Sequence, residues 1–129
     1  MATETLPRVA ALVPAAGASR RMGTDKRRLP LGESTVLEQT LMRLSAGGLT
    51  PLVVVLEEAS PCRELLAEAI DGGEILVAEN PAPERGMLSS IRCGLEVLPA
   101  DVEAVAVHPG DHPFVPPAAV EALLALFAR

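Results

Sequence analysis

The chain is predicted to fold as α/β, a three-layer α/β/α sandwich around a mainly parallel sheet. Three observations point there. Short apolar runs alternate with stretches of helical periodicity along the whole length. The apolar runs lack polar alternation, as strands buried on both faces do. Glycine, proline and capping residues fall at the junctions between them. With 129 residues, 49% of them hydrophobic, the chain suffices for one core and is too short to suggest two, so residues 1–129 read as a single domain.

Val9 to Val13 is the first apolar run, a buried strand that ends at Pro14. Thr35 and Glu38 form a capping box before Val36, Leu37, Leu41 and Leu44, which predicts a helix from Thr35 to Ala46, stopped by Gly47-Gly48. Leu52 to Leu56 reads as a second buried strand. Ser60-Pro61 then supplies an N-cap and a first-turn proline for a helix running towards Ile70 and ended by Gly72-Gly73. Ile75 to Ala78 is a third, shorter strand. Met87 to Leu98 is a helix with Leu88, Ile91, Leu95 and Leu98 on one face. Ala104 to His108 makes a fourth strand, and a last helix starts at the second proline of Pro116-Pro117 and runs to Phe127.

Bulk properties narrow the function. A formal charge of -6 and a pI near 4.9 argue against a nucleic-acid binder, which needs basic side chains to replace phosphate counterions. No apolar run reaches the roughly 20 residues of a membrane span, and Met1 to Pro7 lacks the pattern of a signal peptide, so a cytoplasmic location is expected. Cys62 and Cys93 lack the spacing of a zinc or redox motif and read as reduced, buried thiols. Phe114 and Phe127 are the only aromatic residues besides two histidines, which leaves little for stacking a base. Of eleven basic residues only Lys26 is lysine. A lone ammonium in an arginine-rich chain hints at a site that a planar guanidinium does not fit.

Lys26 ends the stretch Pro14-Ala-Ala-Gly-Ala-Ser-Arg-Arg-Met-Gly-Thr-Asp-Lys26, which leaves the C-terminal end of the first strand, where ligands of such sheets bind. Gly17 and Gly23 let the backbone turn N–H groups inward, while Arg20, Arg21 and Lys26 add positive charge, so a polyphosphate is the natural guest. A Walker A loop has four residues between its glycines and lysine directly after the second. Here five intervene and Thr24-Asp25 precede the lysine. There is no G-x-G-x-x-G fingerprint either. A solvated loop kept soluble by its arginines is the plain alternative.

The residues from Leu12 to Lys26, followed by Leu29-Pro-Leu-Gly and Ser34-Thr-Val-Leu37, resemble the L-A-A-G-x-S-x-R-M-G-x-x-K signature of the sugar-nucleotide and molybdenum cofactor nucleotidyltransferases. Asn80-Pro-Ala-Pro-Glu-Arg-Gly-Met-Leu-Ser-Ser-Ile-Arg-Cys-Gly-Leu95 looks like a segment of the molybdenum cofactor cytidylyltransferase branch, and Gly110-Asp111-His112-Pro113 resembles the family's G-D-x-P turn. The resemblance implies a Rossmann-like sheet of the nucleotide-diphospho-sugar transferase type, short at its C-terminal end. It implies that Ala15, Ala16, Gly17, Ala18, Ser19, Arg20, Met22 and Gly23 wrap the nucleotide, and that Arg21 and Lys26 neutralise its triphosphate. Asn80, Gly86, Ser89 and Ser90 would approach base and sugar, and Asp111 would bind Mg²⁺, for which carboxylate oxygen is a suitable ligand. His108 and His112 flank that turn without the spacing of a zinc pair and read as packing or hydrogen-bonding residues.

The reaction so implied moves CMP from CTP onto a phosphate of a molybdenum cofactor, with pyrophosphate leaving. Other phosphorylated small molecules are possible acceptors, and a molybdoenzyme a possible partner. The alternatives are guanylyl or sugar-phosphate nucleotidyl transfer and a noncatalytic nucleotide- or cofactor-binding module.

Overall fold

A computed structural model describes residues 7–17 and 25–129. In chain order the elements are β1 (Val9–Pro14), β2 (Pro30–Leu31), β3 (Ser34–Thr35), α1 (Val36–Ala46), β4 (Leu52–Glu57), α2 (Cys62–Leu65), α3 (Ala67–Asp71), β5 (Ile75–Asn80), α4 (Met87–Leu95), β6 (Ala104–Val107) and α5 (Pro117–Phe127). Four strands form the main sheet in the order β5-β4-β1-β6, all parallel, and β2 pairs antiparallel with β3 as a separate hairpin. The register sets Leu12 of β1 opposite Val53 of β4 and Val107 of β6.

Both faces of the sheet are covered, as the continuous apolar runs require. On one face Val9, Ala11 and Val13 of β1 join Leu37, Leu41 and Leu44 of α1, Cys62 and Leu66 beside α2, and Val120 of α5. On the other, Leu12, Val55 and Ala78 meet Ile91 and Cys93 of α4. These are the three layers expected from the sequence. The strand order places the reversal of winding at β1, since the chain moves outward through β4 to β5 and then returns to β6 on β1's other side. A crevice at the C-terminal strand ends is the consequence of such a switch point.

The capping box is present. Thr35 Oγ1 accepts from the Glu38 N–H at 3.3 Å, and Glu38 Oε1 accepts from the Thr35 N–H at 3.1 Å. Three expectations need correction. The helix foreseen from Pro61 to Ile70 is two short ones, because Leu66, at φ -102° and ψ 5°, leaves helical geometry while its side chain stays buried in the core. Ser60 still accepts a bond from the Cys62 N–H at 3.2 Å, so its capping role survives the break.

The second correction concerns α4. Leu88 and Leu95 do not face the sheet and are exposed; the buried positions are Ser90 and Gly94. A Cβ at Gly94 would lie 2.8 Å from Leu12 Cδ1, so a bare backbone is what lets α4 sit this close to β1. Small residues, rather than leucines, define the inner face. α4 also stops at Leu95, where Val97 and Leu98 form i→i+3 bonds to Gly94 and Leu95. Thirdly, Cys93 is partly rather than fully buried, and both cysteines are free thiols. Among the described residues no helix is long and apolar enough to cross a membrane.

Candidate functional site

The strand ends converge through backbone bonds. The Ala15 N–H extends the sheet ladder to the Val55 carbonyl at 2.9 Å, and the Gly110 N–H donates to the Pro14 carbonyl at 3.2 Å. The turn after β6 is thereby stitched to the exit of β1. A Cβ at Gly110 would approach Ala15 Cβ to 3.0 Å and Leu37 Cδ1 to 3.1 Å, so a side chain there would press on both. Thr40 Oγ1, buried on α1, donates to the Val36 carbonyl at 2.8 Å and lies 3.3 Å from the Gly110 carbonyl, so the threonine packs under the turn.

A pocket of about 350 Å³ opens at this rim, lined by Pro14 to Gly17, Lys26 and Arg27, Pro83, Gly86, Met87, Ser90 and Pro109 to Asp111. Its walls are thus the exit of β1, the segment returning at Lys26, the start of α4 and the turn after β6. Of the residues singled out from the sequence, Ala15, Ala16, Gly17, Lys26, Gly86, Ser90 and Asp111 share this one hollow. Ala18, Ser19, Arg20, Arg21, Met22 and Gly23 lie outside the described residues.

Gly17 has φ +72°, a conformation that favours glycine, and its Cα faces Pro83 so closely that a Cβ would touch Pro83 Cβ at 3.4 Å. Gly86, at φ +98°, is the N-cap of α4. The Ser89 N–H donates to the Gly86 carbonyl at 3.1 Å, which leaves the Met87 and Leu88 N–H groups without an intrahelical acceptor at the start of the helix, where they suit an anion or carbonyl oxygen.

Asn80 and Ser89 do not line the pocket. Asn80 is buried, and its side-chain amide donates to Ser89 Oγ and Ser90 Oγ, both at 3.0 Å, while Oδ1 accepts from the Ala82 N–H at 2.9 Å. Ser89 donates to the Gly86 carbonyl at 2.6 Å. Asn80 therefore ties the end of β5 to the first turn of α4. Ser90 accepts from it, which leaves the serine's own hydroxyl proton for an acceptor in the pocket.

Asp111 is an exposed member of the lining, with His112 Nε2 3.5 Å from its Oδ1. His108 Nε2 contacts the His112 carbonyl at 2.9 Å, and the two rings meet edge to face. Among the described residues no group of three or more His, Cys, Asp or Glu side chains could hold a metal by itself. One carboxylate fits a magnesium ion that arrives on substrate phosphates and keeps several waters.

The sequence reading passed over Arg27. Its side chain is 6% exposed and its head group lies between Asp25 and Glu57. Nε and Nη2 donate to Asp25 at 2.9 and 2.8 Å, Nη1 and Nη2 donate to Glu57 at 2.7 and 3.0 Å, and Nη1 also donates to the Ala15 carbonyl. Hydrogen bonds from Arg27 hold the Asp25 carboxyl below its ordinary range. Burial pushes the Glu57 carboxyl up, but the bonds from Arg27 outweigh it and the net direction is down. The same two partners raise the Arg27 guanidinium despite its burial. The available signal was the acidic end of an apolar run, Leu56-Glu57, beside an Asp-x-Arg spacing.

The chain matches the MobA-like NTP transferase domain over residues 11–129. A 2-C-methyl-D-erythritol 4-phosphate cytidylyltransferase of Frankia casuarinae is 36% identical over 121 residues, 92% of this chain and 44% of that protein. A molybdenum cofactor guanylyltransferase of Mesorhizobium japonicum is 34% identical over 128 residues, 91% of this chain and 54% of that protein. Among solved structures, a nucleotidyl transferase from Methanothermobacter thermautotroptrophicus has a TM-score of 0.75 at 26% identity, covering 92% of this chain and 57% of that one. The chain spans about half the length of the curated relatives it matches.

Proposed function

Because the chain belongs to the MobA-like NTP transferase domain family, we propose that its pocket binds a nucleoside triphosphate and serves nucleotidyl transfer, with CTP as the favoured donor. The observation that carries this reading is that Lys26, the Gly86 end of α4 and Asp111 line one pocket at the switch point of the sheet. An ammonium, free helix N–H groups and a carboxylate are the set a magnesium triphosphate complements. Arg21, singled out by the family signature, is assigned to the same phosphates.

In the reaction an acceptor phosphate oxygen attacks the α-phosphorus, a new P–O bond forms, and the bond to the β-phosphate oxygen breaks to release pyrophosphate. The nucleophile is already ionised, so no general base is required. Alignment and neutralisation of developing charge lower the barrier. Lys26 and Arg21 stabilise the departing pyrophosphate, and Ser90 and the start of α4 orient the nucleotide. Magnesium on Asp111, when bound, would supply charge neutralisation on the phosphate oxygens.

For the acceptor we propose a phosphorylated small molecule. The segment from Asn80 to Leu95 favours a molybdenum cofactor, as its likeness to the cytidylyltransferase branch implies. A second reading, an erythritol phosphate, is favoured by the 36% identity to the Frankia cytidylyltransferase. Both keep CTP as donor.

Pyrophosphate release with CTP, Mg²⁺ and each acceptor tests the proposal, together with thermal shifts for CTP, GTP, ATP and UTP. Turnover that falls about 100-fold or more in Lys26→Ala is expected, on the scale of losing one donor to developing charge. Full pyrophosphate release by Lys26→Ala would remove the assignment of that residue. Nucleotide binding without turnover would favour the noncatalytic module, and no shift with any nucleotide would overturn both.

A further inference from the structure

Arg27 lines the pocket, yet it has nothing left to give a ligand. A guanidinium has five N–H donors. Here one goes to the Ala15 carbonyl, two to Asp25 and two to Glu57, so all five are used inside the protein. The partners are placed in a telling way. Ala15 is where the chain leaves β1, Asp25 is where it returns to the same rim, and Glu57 is the last residue of β4. The guanidinium therefore closes the base of the segment between residues 15 and 25 and anchors both of its ends to the sheet.

Lys26 sits between two members of this clamp. Asp25 caps the 3-10 turn Lys26–Arg28 by accepting the Arg27 N–H at 3.1 Å, and Arg27 is fixed by its side chain. With both neighbours held, the backbone of Lys26 has one position relative to the pocket. Among the described residues the Lys26 ammonium, on its flexible stem, makes no hydrogen bond or ion pair of its own.

We propose that Arg27, with Asp25 and Glu57, is a positioning residue that sets Lys26 against the triphosphate. This rests on the nucleotide reading of the pocket given above. Charge alone is a competing account: one guanidinium between two carboxylates also keeps negative charge from repelling a polyanion. The two accounts differ in what they say of Arg27→Lys. That variant keeps the positive charge but offers three donors in place of a five-donor fork, so it preserves the field and loses the geometry.

The test is a double-mutant cycle on the affinity for magnesium CTP, measured by calorimetry for wild type, Lys26→Ala, Arg27→Lys and the double variant. Positioning through Lys26 means that Arg27→Lys loses most of what Lys26→Ala loses, to within about threefold, and that the double variant is no weaker than Lys26→Ala. Wild-type affinity in Arg27→Lys, or a loss that multiplies with that of Lys26→Ala, would overturn the positioning role while leaving the nucleotide site intact. Equal affinity in wild type and Lys26→Ala would instead sink the nucleotide reading, and the positioning role with it. If Arg27→Lys does not fold, Glu57→Gln enters the same cycle, since it keeps the shape of the carboxylate and turns one acceptor into a donor facing the guanidinium.

Discussion

One guanidinium at Arg27 balances two carboxylates, and the three groups are poorly solvated, with side-chain exposures of 6, 14 and 19% for Arg27, Asp25 and Glu57. Removing the head group, as in Arg27→Met, leaves Glu57 without its cation and Asp25 with only the half-exposed Arg28, 3.3 Å away. The expected cost is about 3–5 kcal/mol at neutral pH, the scale for breaking a buried pair from one side, measured by urea unfolding. The pH dependence has a definite sign. Both carboxyls have folded values below their ordinary ones of 3.8 and 4.5. Their contribution is therefore present above those values and lost as the pH falls through the depressed folded ones. The gap between wild type and Arg27→Met is expected to be constant near neutrality and to narrow in acid below about pH 4. A gap that widened in acid would contradict the pairing. Asn80 carries a second residue-scale consequence. Asn80→Ala leaves the part-buried Ala82 N–H and the buried Ser90 hydroxyl without this partner, and a loss of about 1–3 kcal/mol is expected in the same unfolding measurement.

Among the elements, α4 depends on its glycine. Gly94→Ala adds a methyl group 2.8 Å from Leu12 Cδ1 and 2.9 Å from Leu12 Cγ, inside a side chain that is fully buried. The gain in helix propensity, about 1 kcal/mol, opposes an overpacking cost of about 1–3 kcal/mol. Net destabilisation of about 1 kcal/mol is expected, and because Ser90 lies one turn away, nucleotide affinity should fall as well. A stabilised variant would mean that α4 can lift from β1 without loss. This same helix marks the limit of what the sequence made legible. Strands such as Val9 to Val13 and Leu52 to Leu56 announced themselves because burial on both faces leaves no polar position. The capping box likewise fixed the start of α1, through chemistry local to Thr35 and Glu38. In α4 the predicted face placed Ile91 against the sheet but Leu88 and Leu95 in solvent, since the contact is set by how near a backbone can come at Gly94, which hydrophobicity does not record. The Leu66 break and the Arg27 clamp were hidden for a related reason: both depend on partners distant in sequence. Lys26 could be picked out as the lone lysine of a glycine-bearing loop at a strand end, and Gly86, Ser90 and Asp111 through the family motifs they sit in, whereas the tie from Arg27 to Glu57 spans thirty positions and belongs to no such motif.

Considered as a whole, the molecule has one well-covered flank and one bare one. The central strands β4 and β1 are buried and the edge strand β5 partly so, but β6 at the other edge has no buried position, and beyond it α5 shows Leu123, Leu126 and Phe127 at 64, 59 and 52% exposure. Val107, Leu123, Leu124 and Phe127 line a hollow of about 300 Å³ there, so the exposed Val107, Leu123 and Phe127 border one apolar depression. Contiguous apolar surface of this kind drives association in water, while a net charge of -6 opposes it. The balance predicts a salt effect. Raising ionic strength screens the repulsion between copies but leaves the apolar attraction, so light scattering from the 129-residue chain is expected to increase with salt, together with binding of an apolar dye. Leu123→Glu interrupts the patch and adds charge of the repelling sign. It should lower dye binding and suppress the salt-induced scattering, while unfolding stability changes by less than about 0.5 kcal/mol, because an exposed side chain has little burial to lose. Unchanged scattering in Leu123→Glu would show that association, if it occurs, uses a different face, and dye binding that persisted in full would place the accessible apolar surface away from α5.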